Sequence, residues 1–215
     1  MTKFRRFELI YGLSSKSNPD LINVLSLRRA GAVLGRQFKS PADERSDTMT
    51  EFIIEELNQF DEEHFVDTLD DVYEESPWVA KQVASERPFD SREDLRATME
   101  SVVNEASRDR KLELLRAHPD LGEQTEMTEA SQEEQSSAGL DELQPEQYKA
   151  FQQLNETYRE TFGFPFIMAV KGKSPDEIQT AMENRINNSE SDEFRTALGQ
   201  VHEIARLRLE DRITQ

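Results

Sequence analysis

From Met49 onward, the apolar residues of this chain return every third or fourth position, and that period dictates a helical fold. Phe65, Val66, Leu69, Val72 and Tyr73 mark one stripe, over 61–75. Leu95, Met99, Val102, Val103 and Ala106 mark another, behind Ser91, which resembles the first residue of a capping box with Asp94 at its fourth place. A short helix over about 108–117 must end before Pro119, because the residue preceding proline avoids helical geometry. Pro77, Pro145 and Pro175 stand at helix first turns, Thr128 at an N-cap, and Gly139 and Gly163 at helix exits. Tyr148, Phe151, Leu154, Tyr158 and Phe162 line the helix that Pro145 opens. Ile178, Ala181, Met182 and Ile186 line the one after Ser174. A last helix from about 191 carries Phe194, Ala197, Leu198, Val201, Ile204 and Ala205 on one face. Phe164–Val170 alone reads as a short extended stretch. No segment alternates apolar and polar residues around a turn, and none repeats another. The expected fold is all-α: a compact multi-helix bundle forming a single domain with an N-terminal extension.

Composition narrows the function. Hydrophobic residues make up 35% of the chain and charged residues 33%, a balance that disorder would also fit without the periodic stripes. There is no cysteine, which excludes disulfides, thiolate metal sites and a cysteine nucleophile. No apolar run approaches the roughly 18 residues that span a bilayer, and no secretory h-region is present, so no membrane partner and a cytoplasmic location are expected.

The net charge of -18 is unevenly spread. Residues 1–45 hold nine Lys/Arg against four Asp/Glu, leaving 17 against 40 for the rest. Residues 1–48 lack a sustained period, and Pro41, Asp43, Ser46 and Asp47 look like a linker. They read as a basic, poorly ordered extension; a targeting segment, or sequence upstream of a true start at Met49, would look the same. Residues 49–215 form the acidic helical domain. Its carboxylates run along its whole length with few lysines, as in salt-adapted proteins, although an acidic interaction surface would share that composition. Either way phosphates are repelled, and no nucleic acid is expected as a partner.

Three features break the rule that charge faces water. Arg208 lies seven residues after Val201, four after Ile204 and three after Ala205, on or beside an apolar stripe. Spacing alone fits an arginine snorkelling from the stripe's edge, or a guanidinium aimed into a pocket to bind a carboxylate. Ser131, Glu134, Gln135 and Ala138 share one helix face at i, i+3, i+4 and i+7, either as a solvated face or as a pocket wall. His118 sits at a helix end before Pro119, either structural or projecting into a cleft as a proton carrier. His64 and His202 have no suggestive partners and read as structural or surface groups.

Four motifs occur in order: His118-Pro-Asp-Leu121, Ser131-Gln-Glu-Glu-Gln135 leading to Ala138-Gly139, Phe162-Gly-Phe-Pro-Phe-Ile167, and Ala205-Arg-Leu-Arg-Leu209, with Arg87-Pro-Phe89 upstream. The series resembles 2-oxo-4-hydroxy-4-carboxy-5-ureidoimidazoline (OHCU) decarboxylase over about residues 50–213. Residues 1–48 find no counterpart. The resemblance implies a cofactor-free, metal-free homodimer that decarboxylates a small-molecule ureidoimidazoline to (S)-allantoin, the last step from urate to allantoin. It implies His118 and Glu134 as the catalytic pair, with Glu134 orienting His118. Substrate would meet Pro119, Ser131, Gln135, Phe164, Phe166, Ile167 and Arg208, in part through the backbone of the Phe164–Ile167 stretch.

Two other functions compete. One is a non-catalytic acidic helical protein that binds a partner through its charged surface. The other is a metal-assisted hydrolase using His118, Asp120 and Glu123, whose spacing around a proline lacks a second histidine.

Overall fold

The computed structural model describes residues 52–123 and 127–214, so the extension expected over 1–48 lies outside the described residues. Nine α-helices run through the described part: α1 (Ile54–Gln59), α2 (Glu62–Leu69), α3 (Pro77–Val83), α4 (Arg92–Glu105), α5 (Arg108–Arg116), α6 (Glu129–Ser137), α7 (Pro145–Phe162), α8 (Pro175–Arg185) and α9 (Glu190–Arg212). The all-α bundle is as the periodicity requires.

The caps explain the boundaries. Ser91, Ser107, Thr128, Ser174 and Ser189 each accept a hydrogen bond from the backbone N–H three residues on. At α4 the expected capping box is only half made, since Asp94 turns to the N–H of Asp90 instead of Ser91. At Ser174 the box is complete, through Glu177. Gly163 leaves α7 at φ 76°, a conformation open to glycine without penalty.

Helix α9 is the central element and packs against α4, α5 and α7. Its buried face carries Ala197, Val201, Ile204, Ala205 and Leu209, small and branched side chains that let neighbouring helices approach closely. The core continues through Leu57, Phe65, Leu69, Leu95, Met99, Leu115, Phe151 and Tyr158, all essentially buried.

Two departures from the sequence reading matter. The stripe over 61–75 is helical only to Leu69, and Val72 and Tyr73 are buried in the turn beyond it. Arginines of α9 supply the reason. Arg212 donates to the Thr68 carbonyl at 2.8 Å and Arg208 to the Asp71 carbonyl at 2.6 Å, so these acceptors need no further helical turn. The second departure is a two-residue parallel β-pair, β1 (Phe52–Ile53) with β2 (Ile213–Thr214), which ties together the two ends of the described domain. Two residues are too few to show alternation in sequence.

The upstream Arg87-Pro-Phe89 signature is a brace. Arg87 donates to the carbonyls of Ala84 and Phe60 and lies over the Phe65 ring, while Asn58 pairs with both backbone groups of Phe89 at 2.8 Å. The carboxylate excess on the surface leads to an expected result. Self-repulsion in a chain of charge -18 is screened as the Debye length shrinks from about 10 Å at 0.1 M salt to about 3 Å at 1 M. Thermal unfolding at rising potassium chloride is therefore expected to move to higher temperature; a midpoint indifferent to salt would leave the acidic surface for a partner instead.

Candidate active site

Three helix ends and one helix face converge below α9. Helix α5 stops at Arg116, two residues before His118. There the His118 Nδ1 meets the Leu114 carbonyl at 2.9 Å. A carbonyl can only accept, so the proton sits on Nδ1, and Nε2 is left as a bare acceptor with no protein partner among the described residues. His118 is 6% exposed. Burial drives its pKa down to about 4; the Glu74 charge and the Leu114 carbonyl oppose that, while Arg208 adds to it. The ring is a neutral imidazole at neutral pH.

The loop that follows His118 is fixed from two sides. The Gln135 Oε1 accepts from the Gly122 N–H at 2.9 Å, and its Nε2 donates to the Asp120 carbonyl at 3.4 Å. Asn155 donates to the Leu121 carbonyl at 3.0 Å. Gly122 stands at φ 76° with Leu143 and Phe151 packed where a Cβ would be.

Arg208 enters from α9 and is 6% exposed. A guanidinium has five N–H donors, and here each has an acceptor. The Nε donates to Glu134 Oε1 at 2.8 Å and Nη2 to Glu134 Oε2 at 3.1 Å, a side-on bidentate pair. Nη2 also donates to Ser131 Oγ at 3.0 Å. Nη1 donates to the Asp71 carbonyl and lies 2.9 Å from Glu74 Oε2. Burial alone would weaken the charge on Arg208, but Glu134 and Glu74 more than restore it and raise its pKa.

Glu74, in the turn after α2, is the residue that sequence reasoning missed. It is 2% exposed and accepts from Ser131 Oγ and Thr128 Oγ1, each at 2.7 Å, besides pairing with Arg208. Burial pushes its carboxyl up, yet Arg208 and the two hydroxyls outweigh that and hold it below the ordinary carboxylate range. Nothing in Tyr73-Glu-Glu-Ser-Pro77 distinguishes Glu74 from the other carboxylates of so acidic a chain.

His118, Pro119, Ser131, Glu134, Gln135, Phe166, Ile167 and Arg208 all border one cleft, together with Leu121, Met168, Val170 and Ile204. The cleft is tight, about 20 Å³, which is room for about one water. Three expectations meet a different geometry. The ring of Phe164 does not border the cleft; it packs among Tyr158, Phe162 and Phe194. The Gln135 amide is spent on the Asp120–Gly122 backbone. Glu134 pairs with Arg208, and the Leu114 carbonyl holds the ring of His118 instead.

The metal arrangement of His118, Asp120 and Glu123 finds no support. Both Asp120 oxygens accept from Arg159 Nε at 2.8 Å, and no three potential ligands converge among the described residues.

Comparison with known proteins agrees with the motif series. A family model described as OHCU decarboxylase matches residues 58–210. A 2-oxo-4-hydroxy-4-carboxy-5-ureidoimidazoline decarboxylase of Halalkalicoccus jeotgali is 62% identical over 163 residues, covering 76% of this chain and 93% of that protein. A protein of the same description from Haloferax volcanii is 57% identical, covering 77% and 99%. A crystal structure of (S)-allantoin synthase superposes with a TM-score of 0.63 at 32% identity, covering 75% of this chain and 54% of that one.

Proposed function

The chain belongs to the OHCU decarboxylase family and is a carboxy-lyase of the urate-to-allantoin step; we propose that it works with His118 as proton carrier and Arg208 as the orienting cation. The observation that carries these roles is the buried, neutral imidazole. Its Nε2 has no protein partner among the described residues, and His118 borders the same cleft as Arg208.

The chemistry needs no external electron sink. The substrate ring bears a hydroxyl and a carboxylate on one carbon, next to a carbon in a C=N bond. When the bond to the carboxylate breaks and carbon dioxide leaves, its electron pair forms a C=C bond to the neighbour. The former C=N pair then passes to nitrogen, which takes up a proton. His118 Nε2 accepts the hydroxyl proton as that carbon becomes a carbonyl, and the neighbouring carbon is protonated on one face. One proton is taken up overall. Neither pyridoxal, thiamine nor a metal is called for. Phe166 and Ile167 wall the flat ring and keep water from it. Arg208 orients the substrate; clamping the departing carboxylate tightly would stabilise the ground state and slow the reaction.

The test is to add purified protein to freshly made urate oxidation product and follow circular dichroism. Faster decay and a single enantiomer of allantoin are expected, with the rate unchanged by exhaustive chelation. Racemic product at the uncatalysed rate would overturn the assignment. A homodimer and a cytoplasmic location complete the proposal, and analytical ultracentrifugation checks the first.

A further inference from the structure

All five donors of Arg208 are occupied, so an anionic substrate can reach the guanidinium only by taking an acceptor's place. The Asp71 carbonyl is main chain, and the Ser131 hydroxyl is itself committed to Glu74. The choice lies between two carboxylates, and they differ sharply. The Glu74 side chain is 2% exposed and also holds two hydroxyls, whereas that of Glu134 is 27% exposed and has Arg208 as its only side-chain partner among the described residues. Moving Glu74 would strand buried donors, while Glu134 can return to water.

Position adds a second reason. Glu134 and Arg208 border both the tight cleft and an outer cavity of about 220 Å³ that reaches Lys171 and Arg212. Their ion pair borders both spaces, and the tight cleft is by itself too small for an imidazoline ring, so displacing Glu134 enlarges the room beside His118, Phe166 and Ile167. When Glu134 swings away, it uncovers the Nε and Nη2 edge of Arg208, an edge that a carboxylate already fits.

Resting on the decarboxylase reading, we propose that Glu74 is a positioning residue: the fixed counter-ion that keeps Arg208 aimed while Glu134 yields Arg208's outer edge to the substrate. Its charge has a second use. The groups facing His118 are Glu74 from the turn after α2, Arg208 from α9, and Ser131 and Glu134 from α6. Of these, Glu74 is the buried negative charge that favours an imidazolium once the ring has taken a proton.

Glu74→Gln tests this, with wild type measured alongside. One anion replaces another at Arg208, so removing the Glu74 charge affects both alike. KM is therefore expected to stay within about threefold of wild type. With Arg208 loosened and the imidazolium unsupported, kcat is expected to fall by about tenfold to a hundredfold. Glu74→Asp, which restores the charge, recovers part of that loss. In an NMR titration, His118 of Glu74→Gln is expected to take up its proton at a lower pH than in wild type, where its pKa is about 4, because a favouring charge has been removed. A purely structural role predicts the reverse: a loosened, hydrated site in which His118 titrates near 6.5. Unchanged kcat, a loss confined to KM, or that upward titration would each overturn the proposal. If Glu74→Gln does not fold, Glu74→Asp decides, since it draws the carboxylate back from Arg208 by one methylene and leaves the Thr128 cap of α6 in place. A kcat lowered by about threefold or more supports the proposal, and an unchanged one overturns it. A wild-type protein that leaves substrate decay unaltered would instead defeat the decarboxylase reading itself.

Discussion

His118→Asn is expected to lower turnover by about 10²–10⁴-fold, the usual worth of a positioned acid–base group, while the domain stays folded. Asparagine can still offer an N–H towards the Leu114 carbonyl, which His118 Nδ1 now satisfies, so no buried acceptor is abandoned. What it lacks is a basic nitrogen in the cleft. The wild-type pH profile should carry the same signature. Burial sets the pKa of His118 to about 4 against the partial opposition of Glu74 and Leu114, so the ring stays a competent base well below the usual histidine range. The rate at limiting substrate is then expected to show no acid limb near 6.5. A limb centred there would mean that the imidazole is hydrated.

Stability follows with a definite sign. The folded value lies below the unfolded one, so the neutral ring favours the folded state. That contribution is complete above about pH 6.5 and is lost as pH falls towards 4, where the unfolded chain takes up a proton that the folded one refuses. In His118→Asn this part of the acid sensitivity disappears.

The second large effect is expected at Glu193, which lies outside the cleft. Its side chain is 0% exposed and accepts from Tyr158 Oη, from Arg185 Nε and Nη2, and from Asn188 Nδ2. Arg185 in turn stacks over Phe166 at 4.4 Å and donates to the Ile167 carbonyl at 2.8 Å. Glu193→Ala leaves the half-buried Arg185 guanidinium with only the Ile167 carbonyl and the buried Tyr158 phenol without its acceptor. Breaking one partner of a buried pair costs about 3–5 kcal/mol, which is on the order of 10 °C in the midpoint of a domain this size. Thermal unfolding measures it, and a midpoint within about 2 °C of wild type would show that the cluster relaxes freely. Because Arg185 steadies the Phe166–Ile167 wall of the cleft, activity per folded molecule should fall too.

These residues also show where sequence is legible and where it is not. Helix period, prolines at first turns and serines at N-caps are local properties, so α3 to α9 stand close to where the stripes and breakers put them. The motif series marked His118, Ser131, Glu134 and Arg208, and the cleft gathers them, because each motif holds its residue at a helix end or on a helix face. Partnership is another matter. That Arg208 binds two carboxylates, that the Leu114 carbonyl and not Glu134 holds His118, and that Phe164 packs into the core while Phe166 borders the cleft are facts of distance between segments remote in the chain.

Glu74 is the sharpest case. Among 44 acidic residues nothing local sets it apart, since its burial is produced by α6 and α9 closing over the turn after α2. The sequence by itself determined the helices, their ends and the identity of the chemical groups. Only the tertiary structure decided which charges face each other in the dark of the core. A charge pairs with whatever the packed backbones bring within a few ångströms, and no local periodicity encodes that.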